Sequence, residues 1–85
     1  MPGSSPARRV SLHVPYLGGV AATVSLWLVP EGAAVQAGDR VIELVAGAAT
    51  IDLEAPVTGR LTGQLVDEDE PVATGRPVAE FEADA

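Results

Sequence analysis

Gly38-Asp39-Arg40-Val41-Ile42-Glu43-Leu44-Val45-Ala46-Gly47-Ala48-Ala49-Thr50-Ile51-Asp52-Leu53-Glu54-Ala55-Pro56-Val57-Thr58-Gly59 is the stretch that decides the fold. Two short runs rich in Val, Ile and Leu, near 40–45 and 50–54, flank a tip of Ala46, Gly47, Ala48 and Ala49. β-branched and aliphatic runs broken by glycine read as paired strands. Gly47 suits a tight turn, whose central residues often need positive φ. Pro56 ends the second strand, and Gly59 permits the turn into Arg60-Leu61. Period-two alternation predicts Val41 and Glu43 on one face of the first strand, with Ile42 and Leu44 on the other.

Outward from this hairpin the chain repeats itself once. Leu28 to Leu44 matches Leu65 to Phe81 at a constant offset of 37 positions. The identical pairs are Leu28/Leu65, Val29/Val66, Glu31/Glu68, Val35/Val72, Gly38/Gly75, Val41/Val78 and Glu43/Glu80. A two-copy repeat is too short for a solenoid. It fits a quasi-twofold domain in which each half supplies equivalent strands. Each copy runs from a strand into an acidic turn, then to a lone inward valine (Val35; Val72). A bend at glycine (Gly38; Gly75) and a second strand, Arg40 to Val45 or Pro77 to Glu82, come next. Upstream, Ser11 to Val14 reads as a first strand, Pro15 to Gly19 as a turn, and Ala21 to Val29 as a second strand.

Composition agrees. The chain has 85 residues, enough for one domain near the lower limit for an independent core. Hydrophobic residues make up 47% but aromatics only 4%, so the core must be built from Val, Leu, Ile and Ala around Trp27, Tyr16 and Phe81. Nine glycines and seven prolines leave room for short strands and many turns rather than helices. The formal charge of −7 argues against nucleic acid and against anionic membrane surfaces. No apolar run approaches the ~20 residues of a membrane span. Residues 1–9 carry no apolar segment of a secretory signal and read as a flexible arm. With no cysteine, disulfides, thiolate metal sites and cysteine nucleophiles are excluded, and a cytoplasmic protein is expected.

The hairpin and its surroundings resemble the lipoyl/biotinyl-attachment domain family. In the lipoyl domains of 2-oxo acid dehydrogenase acyltransferases the hairpin has the form GDxLxEIETDKAxxEVxAPxxG. Gly38-Asp39, Glu43, Ala49, Ala55-Pro56 and Gly59 fall on that pattern without a gap. Val14-Pro15-Tyr16-Leu17-Gly18 is similar to the opening MPxLG, and Trp27 to Gly32 to WLVkeG. Val35 to Asp39 is similar to VxxGD, and Gly75 to Glu82 to the closing Gxxiaxie. The resemblance spans residues 10–82, leaving 83–85 as a tail. It implies an all-β flattened barrel of two four-stranded antiparallel sheets with quasi-twofold symmetry.

The resemblance also places Ala48 where the family has its modified lysine. Val45, Ala46 and Gly47 replace the rest of the charged tip, and the Met-Lys-Met of biotin carriers is absent too. All five basic residues are arginine, so no neighbouring lysine can substitute. The family's lipoate or biotin is therefore expected not to attach. The resemblance, with that loss, implies a non-enzymatic docking or scaffold module, beside a 2-oxo acid dehydrogenase or a related acyl- or carboxyl-transfer system, and a monomer or weak oligomer. The alternative is a genuine swinging-arm carrier seen in a mutated form. The tip itself reads either as a plain turn that lost its function or as an apolar knob that docks into a partner pocket.

Other chemistry is sparse. Asp67-Glu68-Asp69-Glu70 is either a cation or docking site or, more simply, a solvated turn; it lacks the spacing of a calcium loop. Asp69 stands where the first copy has Gly32, and aspartate tolerates left-handed backbone. His13 has no second histidine or cysteine to share a metal. Glu43, Asp52 and Glu54 are explained by outward strand faces rather than by paired-carboxylate catalysis. Trp27 reads as a half-buried anchor whose indole N–H needs a partner at the rim. Thr50 and the other hydroxyls lack an activating base.

Overall fold

A computed structural model describes residues 8–84. It contains eight strands: β1 Arg8–His13, β2 Ala22–Trp27, β3 Ala34–Val35, β4 Arg40–Ala46, β5 Ala49–Glu54, β6 Gly59–Gln64, β7 Pro71–Val72 and β8 Pro77–Ala83. They form two four-stranded sheets, ordered β1-β8-β6-β3 and β5-β4-β2-β7, with every pairing antiparallel. Each sheet thus draws strands from both halves of the chain. The two halves are interlocked, and neither sheet can form without both.

The 37-residue repeat in sequence is a structural dyad. β2, β3 and β4 superimpose in numbering on β6, β7 and β8 at that same offset. β4 and β8 bury the same positions: the second, third, fifth and seventh residues of each are buried. Loop hydrogen bonds repeat as well. The Gly38 N–H donates to the Ala55 carbonyl at 2.9 Å, and the Gly75 N–H to the Val14 carbonyl at 2.8 Å. The Trp27 N–H donates to Glu68 Oε2 at 3.0 Å, and the Gln64 N–H to Glu31 Oε2 at 2.8 Å. Each half therefore uses the other half's acidic turn to satisfy a strand end that would otherwise lose its partner.

The strict alternation expected along β4 does not hold. Val41 and Ile42 are both fully buried, while Glu43 is half-buried. The pairing register with β5 jumps between Arg40 and Ile42, so Val41 is the extra residue of a β-bulge. β8 does the same at Val78, beside the register jump between Leu12 and His13 of β1. A bulge turns two successive side chains inward, which is how a narrow barrel closes without a third layer. Val35 and Val72 are buried, as the lone-valine reading requires. Gly38 and Gly75 both take positive φ, at 94° and 85°.

The strand bounds differ from the sequence reading at both ends of the chain. β1 begins at Arg8, so Arg8 and Arg9 belong to the sheet, pairing with Ala83 and Glu82, rather than to the arm assigned to 1–9. Ala83 is the buried last residue of β8 rather than part of a tail from 83. Backbone pairing along an edge strand asks nothing of the side chains, so two arginines fit it. Residues 1–7 of that arm, and Ala85, lie outside the described residues.

The core is aliphatic. Phe81, Ile42, Leu44, Leu61, Val24, Val41 and Val78 are its fully buried large side chains, and no polar side chain is buried with them among the described residues. Each contributes roughly 1.5–3 kcal/mol by leaving water.

Candidate functional site

β4 and β5 converge on the tip. Ala46 pairs with Ala49, leaving Gly47 and Ala48 as a two-residue turn. Gly47 has φ +61°, and Ala48 is not among the positive-φ residues. Positive φ at the first central position alone is the type II′ pattern, which matches the strand twist and calls for glycine there. Gly47, Ala48, Ala49 and Thr50 are exposed. Behind the turn, Val45 lies level with Thr23 on one side and Thr50 on the other. Val45 remains 39% exposed. The apex thus presents one methyl group, from Ala48, and the chain carries no lysine that could present an amine.

A cleft of about 410 Å³ opens at the same end of the barrel. Its walls come from the loop between β1 and β2 (Val14, Leu17, Gly19, Val20, Ala21 and Ala22) and from β7 with its following loop (Pro71, Val72, Ala73 and Thr74). Val20 ties the cleft to the tip: a Cβ on Gly47 would sit 3.6 Å from Val20 Cγ1. Among the described residues, Thr74 is the only lining residue with a polar side chain. The sequence reading assigned Pro15 to Gly19 to a turn and did not foresee the cleft. The contact between positions 20 and 47 is long-range, and the one local hint is the uncharged loop itself.

The remaining candidates are drawn into the scaffold. In Asp67-Glu70, Glu68 accepts from the Trp27 N–H, and Glu70 Oε1 accepts from the Asp67 N–H at 3.0 Å. Arg76 Nη2 donates to Glu70 Oε2 at 3.0 Å. The Asp67 N–H, the largest cause, holds the Glu70 carboxyl below the ordinary glutamate range; desolvation opposes it, and the Arg76 side chain adds to the lowering. Asp69 has φ 71°, the left-handed backbone expected where its counterpart is Gly32 at 93°. Two of the four carboxylates are thus committed to the barrel's own hydrogen bonds.

Trp27 is half-buried, and its Nε1–H donates to the Val66 carbonyl at 3.0 Å. Its dyad mate Gln64 does the same through Nε2, to the Val29 carbonyl at 3.0 Å. The anchor reading of Trp27 is correct, and Gln64 is the equivalent anchor that the sequence did not single out. Glu43 pairs in register with Asp52, and Arg40 approaches Asp52 at 3.8 Å from a largely exposed position, a contact of little energetic weight. Asp52 Oδ1 has no hydrogen-bond partner. Leu53 is buried between exposed Glu54 and half-buried Asp52, in line with an outward carboxylate face. His13 is exposed at the end of β1. Among the described residues no group of three or more His, Asp or Glu side chains could hold a metal ion.

Two interlocked four-stranded sheets, a quasi-dyad and an exposed two-residue turn define a flattened β-barrel of the expected kind. Residues 10–81 match the family described as "Biotin-requiring enzyme", the biotin/lipoyl domains. The chain belongs to this family. It is also similar to a solved structure described as a single-chain, multi-domain long-chain acyl-CoA carboxylase, with a TM-score of 0.79 and 29% sequence identity. That match covers 96% of this chain but only 8% of the carboxylase. No curated protein matches the chain.

Proposed function

We propose that this chain is a non-catalytic member of the biotin/lipoyl family that carries no covalent cofactor and works by docking through its tip. The observation that carries the proposal is the apex: a well-formed, exposed turn whose outward side chain is the methyl of Ala48, in a chain without lysine. The family's prosthetic groups are joined through a lysine amide, and neither Gly47 nor Ala48 can form one. The residues present therefore do not fit biotin or lipoate, and no transfer step passes through this chain. The intact frame and the exposed turn of the hairpin support a binding role.

Its partner is an enzyme of the acyl- or carboxyl-transfer class. The likeness to a domain-sized part of a long-chain acyl-CoA carboxylase supports a carboxylase. The similarity of Gly38 to Gly59 to lipoyl hairpins supports a 2-oxo acid dehydrogenase. Co-purification from the native host separates them. The primary test is intact mass of the chain isolated from its own cells. The expected mass is that of the bare polypeptide, and an added biotinyl or lipoyl group anywhere would refute the proposal.

A swinging-arm carrier altered at position 48 is the second reading, favoured by the same intact turn. A carrier holds its reactive group on a flexible arm so that one group can visit two active sites. A lysine codon at position 48 of the encoding gene decides for it. Ala48→Lys alone, offered to a biotin ligase, and Ala48→Lys with Gly47→Asp, offered to a lipoyl ligase, ask whether the scaffold is still recognised.

A further inference from the structure

We infer that the tip end is a self-complementary surface through which two copies of this chain associate about a twofold axis, the Gly47-Ala48 turn of each entering the cleft of the other. The first ground is charge. Every segment that builds this end is uncharged: 14–30, 44–51 and 71–75 contain no Asp, Glu, Lys or Arg, in a chain of formal charge −7. Glu70 and Arg76, which bracket 71–75, are paired with each other at 3.0 Å. His13, just before Val14, and Tyr16 are further titratable groups beside this end. Two chains of this net charge repel. The tip end is the surface on which they can meet without setting carboxylates against carboxylates.

Shape makes the same case. Knob and hole lie side by side, joined at Gly47 and Val20. A twofold contact needs this arrangement, since residue i of one copy must meet residue j of the other and the reverse. Glycine and alanine at the apex allow close backbone approach. The cleft of about 410 Å³ is lined by Leu17, Val20 and Val72 and offers one side-chain hydroxyl, from Thr74. It lacks the converging polar groups that orient a small ligand, and it suits an apolar turn. Tyr16 at 76% and Val20 at 49% exposure widen the apolar surface around it.

The inference rests on the docking reading of the tip. A bare mass with no dimer would sink this inference alone. The experiment is sedimentation equilibrium of the recombinant chain over a concentration series, with melting by circular dichroism to confirm folding. The expected result is a reversible monomer–dimer equilibrium. Ala48→Arg should weaken it on the order of a hundredfold, the scale of a desolvated, unpaired charge. Val20→Arg, which alters the hole rather than the knob, should do the same. Ser11→Arg, on an exposed strand position with the same change in net charge, should leave it unaltered. Any association governed by net charge alone would instead strengthen in all three variants. A chain that stays monomeric at its highest soluble concentration overturns the inference. So does a dimer insensitive to Ala48→Arg and Val20→Arg, or growth beyond the dimer, which a closed twofold contact forbids.

Discussion

The two ends of the barrel are built from equivalent strands and are nevertheless finished differently. At one end the link from β5 to β6 takes the four residues 55–58; at the tip end the link from β1 to β2 takes the eight residues 14–21. The short link is closed. Thr58 Oγ1 accepts from the Ala37 N–H at 3.0 Å, the Asp84 N–H donates to the Thr58 carbonyl at 3.0 Å, and Val57 packs on the core. The long link packs Leu17 on the core but leaves Tyr16 and Val20 exposed and a cleft beneath them. One end is closed by a short link tied down through Thr58, and the other carries a long, uncharged link with a cleft beside it. A dyad that is nearly kept in the core and broken at one loop separates what holds the barrel together from what it presents to others.

The sharpest way to break this comparison is at the dyad pair Ala22 and Gly59. Ala22 is buried at the tip end with its methyl accommodated. A Cβ on Gly59 would collide with the Glu82 carbonyl oxygen and sit 2.9 Å from Ala83 Cα, both of them backbone atoms that cannot swing away. Gly59→Ala is therefore expected to cost about 3 kcal/mol or more in chemical denaturation. The reverse change at its mate, Ala22→Gly, should cost about 1 kcal/mol. Equal costs would mean that the sealed end relaxes as easily as the open one.

Next come the two bulge valines. Val41 and Val78 are both fully inaccessible and occupy equivalent bulges. Val41→Ala and Val78→Ala should each cost about 1–3 kcal/mol. If the dyad holds in energy as well as in geometry, the two values agree within about 0.5 kcal/mol, the usual margin for independent sites. A larger gap would show that the open end carries a softer core.

Much of this architecture was legible in the sequence because its signals are local or repeat. The spacing of Gly38, Gly47 and Gly59 marks the hairpin, and the 37-residue offset marks the dyad. Asp69 opposite Gly32 announces a left-handed turn, and a single tryptophan near an apolar strand announces an anchor. The bulges were not legible. Val41-Ile42 and Val78-Ala79 read as ordinary strand, and only the pairing register shows the extra residue. The cleft was hidden for a related reason: its walls come from opposite ends of the sequence, 52 positions apart for Val20 and Val72. The cross-half caps by Glu31 and Glu68 were hidden too, because acidic residues in turns look like solvation until their partners are known.

The acidic turn gives a smaller, pH-dependent contrast. Glu70 is held by the Asp67 N–H and by Arg76, whereas the dyad-related positions are Ala33 and Asp39, which cannot form such a pair. A carboxyl whose folded pKa lies below its unfolded value adds stability above the unfolded pKa and loses it as pH falls through the folded one. NMR titration should find the Glu70 midpoint below that of a free glutamate. Arg76→Gln should raise it only part of the way, because the backbone donor at Asp67, the larger cause, remains. A full return to the free value would assign the effect to the ion pair and remove the backbone cap from the account.

The smallest expected effect lies at the apex. Ala48 is exposed and its backbone is outside the left-handed region, so Ala48→Ser adds a hydroxyl in water without strain. Its stability change should fall within about 0.5 kcal/mol of zero. Gly47→Ala, one position earlier, has room for its methyl at 3.6 Å from Val20 but must hold φ near +61°. That conformation costs an L-residue about 1–2 kcal/mol. The pair separates backbone strain from side-chain packing at a turn that the rest of the barrel does not need. If Ala48→Ser proved as costly as Gly47→Ala, the apex would be packed into the fold like the sealed end. It would then be unable to serve as a free knob for any partner, a second copy included.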